Sequence, residues 1–307
     1  MIAEIAALTE RFAIRLEQHD GLQLRKSNRI KTIYSSLAIE GNTLNEEQVS
    51  DIINGHHVIA PLRELQEVKN AIATYDLFES LDPFSLKDLL RAHKVMMNAL
   101  VDEPGILRRG GVGVFSGEKA IHIAPTASMV SGLLNQLFKW LKKADDHLLI
   151  RSCVFHYEFE FIHPFTDGNG RMGRLWQSLI LSKYNPIFQH LPVETIVHDN
   201  QQAYYSAINA SSARGNCEPF IDFMLEALLH ALKSHRETTL GGVNGGVSGG
   251  VNELLDYIIA HPGCRANQLS IALSLPQRTI ERHLKALKTQ GKLEFRGASR
   301  NGGYYVI

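Results

Sequence analysis

Phe161 to Arg174 reads FIHPFTDGNGRMGR, and this stretch concentrates more chemistry than any other part of the 307-residue chain. The apolar periodicity that starts at Leu148 stops near Ile162, so Asp167-Gly168-Asn169-Gly170 is expected as a loop between two helices, the second opened by Arg171. Glycines at 168 and 170 let successive backbone N–H groups converge, and the helix N-terminus adds its positive end. An anion fits such a place. Arg171 and Arg174 stand three apart and reach it from one helix face. That much positive charge exceeds the need of a single phosphate and suits a polyphosphate, which ordinarily brings Mg2+. Asp167 offers the metal a hard oxygen at the edge of the nest. His163, just ahead of the loop, is placed to take the proton of an incoming hydroxyl. Taken one at a time these residues read otherwise: His163 as a satisfied histidine, Phe165 as core, Asp167-Gly168 as a turn, the arginines as surface. Their conjunction within twelve residues favours chemistry.

The segment resembles the Fic family motif H-x-F-x-[D/E]-G-N-G-R-x-x-R at every fixed position. The likeness covers roughly Ile2 to His230, with the motif-bearing core between about Leu86 and Leu191. It implies that His163 is the general base, Phe165 a core anchor and Asp167 the magnesium ligand. It likewise implies that Gly168, Asn169 and Gly170 form the anion nest and that Arg171 holds the phosphates. In that family a protein hydroxyl of Ser, Thr or Tyr attacks the α-phosphate of ATP, AMP is transferred and pyrophosphate leaves. Some members use other donors and some remove AMP, and the motif does not separate these activities.

Two more segments gain meaning from the resemblance. The glycine-rich stretch from Arg108 to Ala124 is expected as a β-hairpin turning near Ser116-Gly117. It resembles the family's flap, in which Gly110, Gly111, Val112, Gly113 and Val114 would pair with an extended piece of the target by strand addition. Ser36-Leu37-Ala38-Ile39-Glu40-Gly41-Asn42 matches the inhibitory pattern [S/T]-x-x-x-E-[G/N], with Ser36 and Glu40 at its fixed positions. Its glutamate would pair with Arg174, which the γ-phosphate needs; read without the family, Glu40 is a surface acid beside a C-cap glycine. Tyr204 and Tyr205 either help wall the adenosine or serve as packing residues.

The expected fold class is mostly α: a Fic-type helical core with a β-hairpin flap, followed by a small α/β winged-helix domain. The repeated strand–helix alternation of a doubly wound sheet is missing. Residues 1–85 form an N-terminal helical region bearing the inhibitory motif, and 86–235 the catalytic core with its flanking helices. Within them helices are expected over Leu62–Leu81, Leu86–Leu100, Met129–Leu141, Leu148–Ile162, Asn200–Ala210 and Pro219–Ser234. Residues 236–250 read as a linker, because six of the ten residues in GGVNGGVSGG are glycine. Residues 251–307 carry three short helical patterns and a closing hairpin, the order of a winged helix-turn-helix. Its third helix holds Arg278, Arg282, Lys285 and Lys288, and the wing adds Arg296 and Arg300. With eight Lys/Arg against four Asp/Glu, that region could meet DNA phosphates or, equally, pack on protein.

Composition narrows the classes further. With 32 basic and 32 acidic residues, the chain as a whole has no field to draw it onto nucleic acid or an anionic membrane. Three scattered cysteines, Cys153, Cys217 and Cys264, fit neither a disulfide framework nor a zinc site. No secretion signal or spanning segment is expected, which makes the cytoplasm the default location. His156, Glu160 and His163 share a helix face, yet no H-E-x-x-H accompanies them and a metallohydrolase is the weaker reading. The expected partners are ATP as substrate, Mg2+, and a protein target of open identity, with the chain itself among the candidates. DNA through 251–307 and a second copy of the chain stay open, as does a regulator that only senses nucleotide.

Overall fold

The computed structural model describes residues 1–306 apart from 19–20, 112, 117–118, 192, 241–253, 256, 260, 274–276, 290–291 and 298–301. It divides into two compact units, Met1–Ser234 and His235–Ile307. The first unit begins with α1 (Ile2–Gln18), α2 (Gly21–Ile39), α3 (Glu46–Ile53), α4 (Leu62–Asp76) and α5 (Leu86–Met96). The strands β1 (Gly113–Ser116) and β2 (Lys119–Ile123) follow, and then α6 (Ala127–Lys143), α7 (Leu148–Ile162) and α8 (Asn169–Tyr184). After these come α9 (Val193–Asp199), α10 (Gln201–Arg214) and α11 (Glu218–Leu240), whose residues from 235 on are counted with the second unit.

Helix starts and stops follow local chemistry. Asn45 and Gln48 form a reciprocal capping box at α3, and the Ser85 side chain accepts the Asp88 N–H at the start of α5. Gly215, at φ 67°, ends α10 in the left-handed conformation that glycine adopts without penalty. Several helix limits differ from the sequence pattern; α8 opens at Asn169, not Arg171, because the left-handed Gly168 ends the loop and caps the helix there. The helix expected over Leu62–Leu81 ends at Asp76, and Phe78–Ser80 tighten into a 3-10 turn. The helix expected to reach Leu100 stops at Met96, because the chain turns back and delivers the Gly105 N–H to His93 Nδ1 at 2.8 Å. The linker expected from 236 begins later: residues 236–240 prolong α11, since neither Gly nor Pro stops the helix before Gly241. The rest of that linker, 241–250, lies outside the described residues.

α7 and α8 form the central pair. Phe155, Phe159 and Ile162 of α7, with Met172, Leu175, Trp176, Leu179 and Ile180 of α8, face a cluster built with α2, α4, α5 and α6. Leu149, Cys153 and Tyr157 face a second cluster built with α1, α9, α10 and α11. α7 therefore presents apolar residues to two cores at once, with Arg151, Glu158 and Glu160 between them. Each fully buried large apolar side chain is worth about 1.5–3 kcal/mol of transfer free energy, so the α7–α8 connection hangs from two independently packed faces. α2 is seated by Asn28 on the His190 carbonyl (2.7 Å), by Ser35 on Thr195 (3.0 Å) and by Gln201 on the Ile39 carbonyl (3.3 Å).

β1 and β2 pair antiparallel, with Ser116 opposite Lys119 and a register shift between Val114 and Phe115. Val112, expected to belong to the docking edge, lies outside the described residues. The second unit has α12 (Ala266–Ala272) and α13 (Gln277–Thr289) over a small core of Leu254, Ile258, Leu269, Ile280, Leu284, Leu287 and Leu293. It closes with the antiparallel pair β3 (Leu293–Arg296) and β4 (Gly303–Val306), whose Tyr304 also exchanges backbone bonds with Gly263 and Cys264.

Candidate active site

The turn between α7 and α8 is shaped by its own sequence. Pro164 disfavours another right-handed helical residue before it, and His163 takes a left-handed conformation at φ 49° and ψ 62°. That twist carries the histidine off the end of α7 while its N–H still bonds the Phe159 carbonyl at 2.9 Å. Phe165 is fully buried and stacks on His93, with centroids 3.6 Å apart and planes within 6°. Asn169 then closes the loop: its Oδ1 accepts the Phe165 N–H at 2.9 Å and its Nδ2 donates to the Phe165 carbonyl at 3.0 Å. Gly168, at φ 82°, caps α8, and a Cβ there would stand 2.6 Å from Met97 Sδ. The site needs glycine at 168 on both counts.

His93, a residue the motif does not include, supports this turn from α5. Its Nδ1 accepts from Gly105, so Nε2 carries the proton and donates to the Asp167 carbonyl at 3.0 Å. Burial pulls its pKa down to about 4, which keeps it neutral.

Charges close into a ring beside the loop. Asp167 Oδ1 accepts the Gly168 N–H at 2.6 Å and meets Arg171 Nη2 at 3.3 Å. Arg171 Nη1 lies 3.9 Å from Glu67, Glu67 lies 3.6 Å from Arg63, and Arg63 lies 3.5 Å from Asp167 Oδ2. Glu67 also accepts from Asn42 at 2.8 Å, so α4 links the loop after α2 to the arginine of the motif. Arg171 is buried, and its Nε and Nη1 have no hydrogen-bond acceptor among the described residues. Buried donors left open in this way suit an anionic ligand.

Arg174 is buried as well. Its Nη2 donates to Glu40 Oε1 at 2.7 Å and to the Ser36 carbonyl at 3.0 Å. Burial works against the guanidinium charge, but Glu40, Tyr204 and Glu160 around it more than offset that and hold its pKa above the usual range. A Cβ on Gly170 would lie 2.6 Å from Glu40 Oε1, so the carboxylate rests against the first turn of α8, where an anion would gather. Of Ser36, it is the backbone carbonyl that reaches Arg174.

Tyr204 and Tyr205, also singled out in the sequence, lie close enough to Arg174 and Glu40 to interact with them electrostatically. Tyr204 is buried, and its hydroxyl donates to His156 Nε2 at 3.0 Å; His156 Nδ1 donates to Gln177 Oε1 at 2.6 Å. Both nitrogens of His156 are thereby engaged, which leaves neither for a metal, and burial pulls its pKa to about 4. Tyr205 is 45% exposed and edge-on to Tyr204. Gly110 and Gly111 are exposed at the root of the hairpin, and Gly113 and Val114 lie in β1. Sequence reasoning missed His93, Arg63, Glu67 and Arg108. His93 alone had a local signal, as a histidine on the buried stripe Leu89, Ala92, Met96.

The Fic/DOC family model matches residues 83–181, from the approach to α5 through most of α8. A crystal structure of a Fic family protein from Desulfovibrio desulfuricans aligns with all of this chain and 94% of its own, at 41% identity and a TM-score of 0.75. This chain belongs to the Fic family. Among curated Fic relatives, protein adenylyltransferase fic-1 of Caenorhabditis elegans is 29% identical over 257 residues, 76% of this chain and 47% of its own. Protein adenylyltransferase fic-1 of Caenorhabditis briggsae is 31% identical over 228 residues, 69% of this chain and 42% of its own. The chain thus spans less than half the length of these curated relatives. The solved C. elegans Fic-1, at 21% identity, shares the fold with a TM-score of 0.59 over 76% of this chain and 70% of its own. No helix among the described residues is long and apolar enough to cross a membrane.

Proposed function

We propose that this Fic protein transfers AMP from ATP to a Ser, Thr or Tyr hydroxyl of a protein, with His163 as general base and Glu40 as a built-in brake. The observation that carries the reading is the pair of buried arginines on the first turns of α8. Arg171 offers open donors, while Arg174 is occupied by a carboxylate that stands against Gly170. In the reaction the target hydroxyl oxygen bonds to the α-phosphorus, the bond to the β-phosphate bridge breaks, and pyrophosphate leaves. The hydroxyl proton passes to His163. Arg171 and the backbone N–H groups at the head of α8 orient the phosphates, and Arg174 receives the γ-phosphate once Glu40 withdraws.

The residues present fit Mg2+ brought by the nucleotide. Asp167 is a hard oxygen donor at the edge of the nest, and no group of three or more His, Cys, Asp or Glu gathers among the described residues to form a resident all-protein site. Held by Asp167 with phosphate oxygens and water, the metal would neutralise charge on the departing pyrophosphate.

Intact-mass spectrometry of Glu40→Gly with Mg2+ and each nucleoside triphosphate tests the reading, beside Glu40→Gly/His163→Ala. A gain of one AMP with ATP, absent from the double variant, is expected. Equal labelling of the double variant, or release of AMP from an AMP-modified protein in place of transfer, overturns it.

A winged-helix domain over 251–307 with DNA as its ligand is a second proposal, and α13 supports it. Lys285 and Lys288 are exposed on a helix whose Ile280, Leu284 and Leu287 are buried. Arg296 contributes less than expected, because it pairs with Glu294 and lies 5.0 Å over the Tyr305 ring. Binding to duplex DNA that weakens steeply between low and physiological salt is expected; salt-independent or absent binding rejects it.

A further inference from the structure

Arg108 is 3% exposed, and no carboxylate pairs with it among the described residues. Among the described residues its charge is met by carbonyl oxygens alone. Nε donates to the His163 carbonyl at 2.7 Å, Nη1 to Gly110 at 2.8 Å, and Nη2 to Pro125 at 2.5 Å and Ile162 at 3.3 Å. Its own N–H donates to the Pro164 carbonyl at 2.9 Å. Ile162 and His163 lie at the C-terminal end of α7, where carbonyls lack helical partners and the helix dipole is negative. Gly110 and Pro125 flank β1 and β2 on either side. One planar fork therefore joins the histidine corner to both roots of the hairpin.

We infer that Arg108 is a positioning residue that fixes the flap relative to His163, so that a target strand paired to the flap presents its hydroxyl at the base. The inference rests on the proposed transfer reaction for its purpose, although the staple itself is a matter of geometry. The hairpin is a two-stranded ribbon, which holds its place poorly without support from elsewhere. Its roots are where a fixed distance to His163 is set. A lysine cannot do the same: its ammonium is a single point, whereas the guanidinium reaches four carbonyls on three segments at once.

The test uses the full chain in the Glu40→Gly background, with Arg108→Lys and Arg108→Met. Hydrogen exchange followed by mass spectrometry reads residues 109–111 and 124–126 against α7 and α8. Both variants are expected to exchange at least ~10-fold faster at the flap roots, with α7 and α8 protected as in the parent. AMP transfer to protein is expected to fall at least ~10-fold, while ATP affinity stays within about twofold and hydrolysis of ATP by water persists. Unchanged exchange at the roots overturns the inference. So does equal loss of protection across α7 and α8, or an equal loss of transfer, hydrolysis and ATP binding, which marks a merely structural arginine. If the parent itself transfers no AMP, the functional reading fails, and the exchange pattern still decides whether Arg108 holds the flap.

Discussion

Glu40 Oε1 sits 2.7 Å from Arg174 Nη2, and its carboxylate fills the space beside Gly170 at the head of α8. The pair occupies the arginine to which the proposed function assigns the γ-phosphate. In Glu40→Gly, Arg174 keeps only the Ser36 carbonyl of these two partners, and loss of the charged hydrogen bond is expected to cost about 1.5–3 kcal/mol. ATP with Mg2+ then restores a partner to Arg174. Its thermal shift should be larger in Glu40→Gly than in the parent chain; a smaller shift would mean that the carboxylate does not compete with the nucleotide.

Arg63 touches the oxygen of Asp167 that Gly168 leaves free. A cation beside the candidate magnesium ligand competes with the metal. The Arg63 side chain is 59% exposed, so solvent screens most of the effect. Arg63→Met should lower the Mg2+ concentration that half-saturates ATP-dependent thermal stabilisation by about two- to fivefold. A higher requirement would instead make Arg63 a phosphate contact.

Gly168→Ala meets two obstacles, a φ of 82° and Met97 Sδ at 2.6 Å from the new Cβ. The left-handed backbone alone costs a non-glycine residue about 1–2 kcal/mol. Met97 is fully buried and has little room to yield. Urea unfolding should show a loss of at least that size, accompanied by weaker ATP binding; a neutral substitution would contradict the packing of this turn.

Burial raises Glu194 to about 7 from an ordinary 4.5, even though Tyr75 donates to it at 2.8 Å and pulls the other way. Between those values the folded state binds more protons than the unfolded one, so the group stabilises below pH 4.5 and that stability is lost as pH rises through 7. His156 and His93, depressed to about 4 from 6.5, do the opposite: their stability is present above pH 6.5 and is lost as pH falls through 4. Glu194→Gln removes only the first effect. Relative to the parent, the variant should gain about 1.4 kcal/mol of stability per pH unit as pH rises from about 5 to about 7. A difference that does not change with pH would show that Glu194 titrates normally.

Much of this molecule could be read locally, and the exceptions share a cause. The α7–loop–α8 unit was legible because apolar periodicity, proline and glycine all act within a few residues. The contact of Glu40 with Arg174 spans 134 positions and was legible only through likeness to a family pattern. Arg63, Glu67 and Arg108 have no local signature, since each gains its role by meeting a segment far away in the chain. The end of α5 and the continuation of α11 were misjudged for opposite reasons. A tertiary contact at Gly105 accompanies an early end in one, and the absence of any breaker before Gly241 let the other run on.

Asn169 holds both the N–H and the carbonyl of Phe165, so the bend between them is closed upon itself. That closure lies inside the segment, and His93 and the Arg108 N–H steady the bend from outside it. A substitution in the hairpin or in α2 therefore leaves the two bonds that close this bend in place.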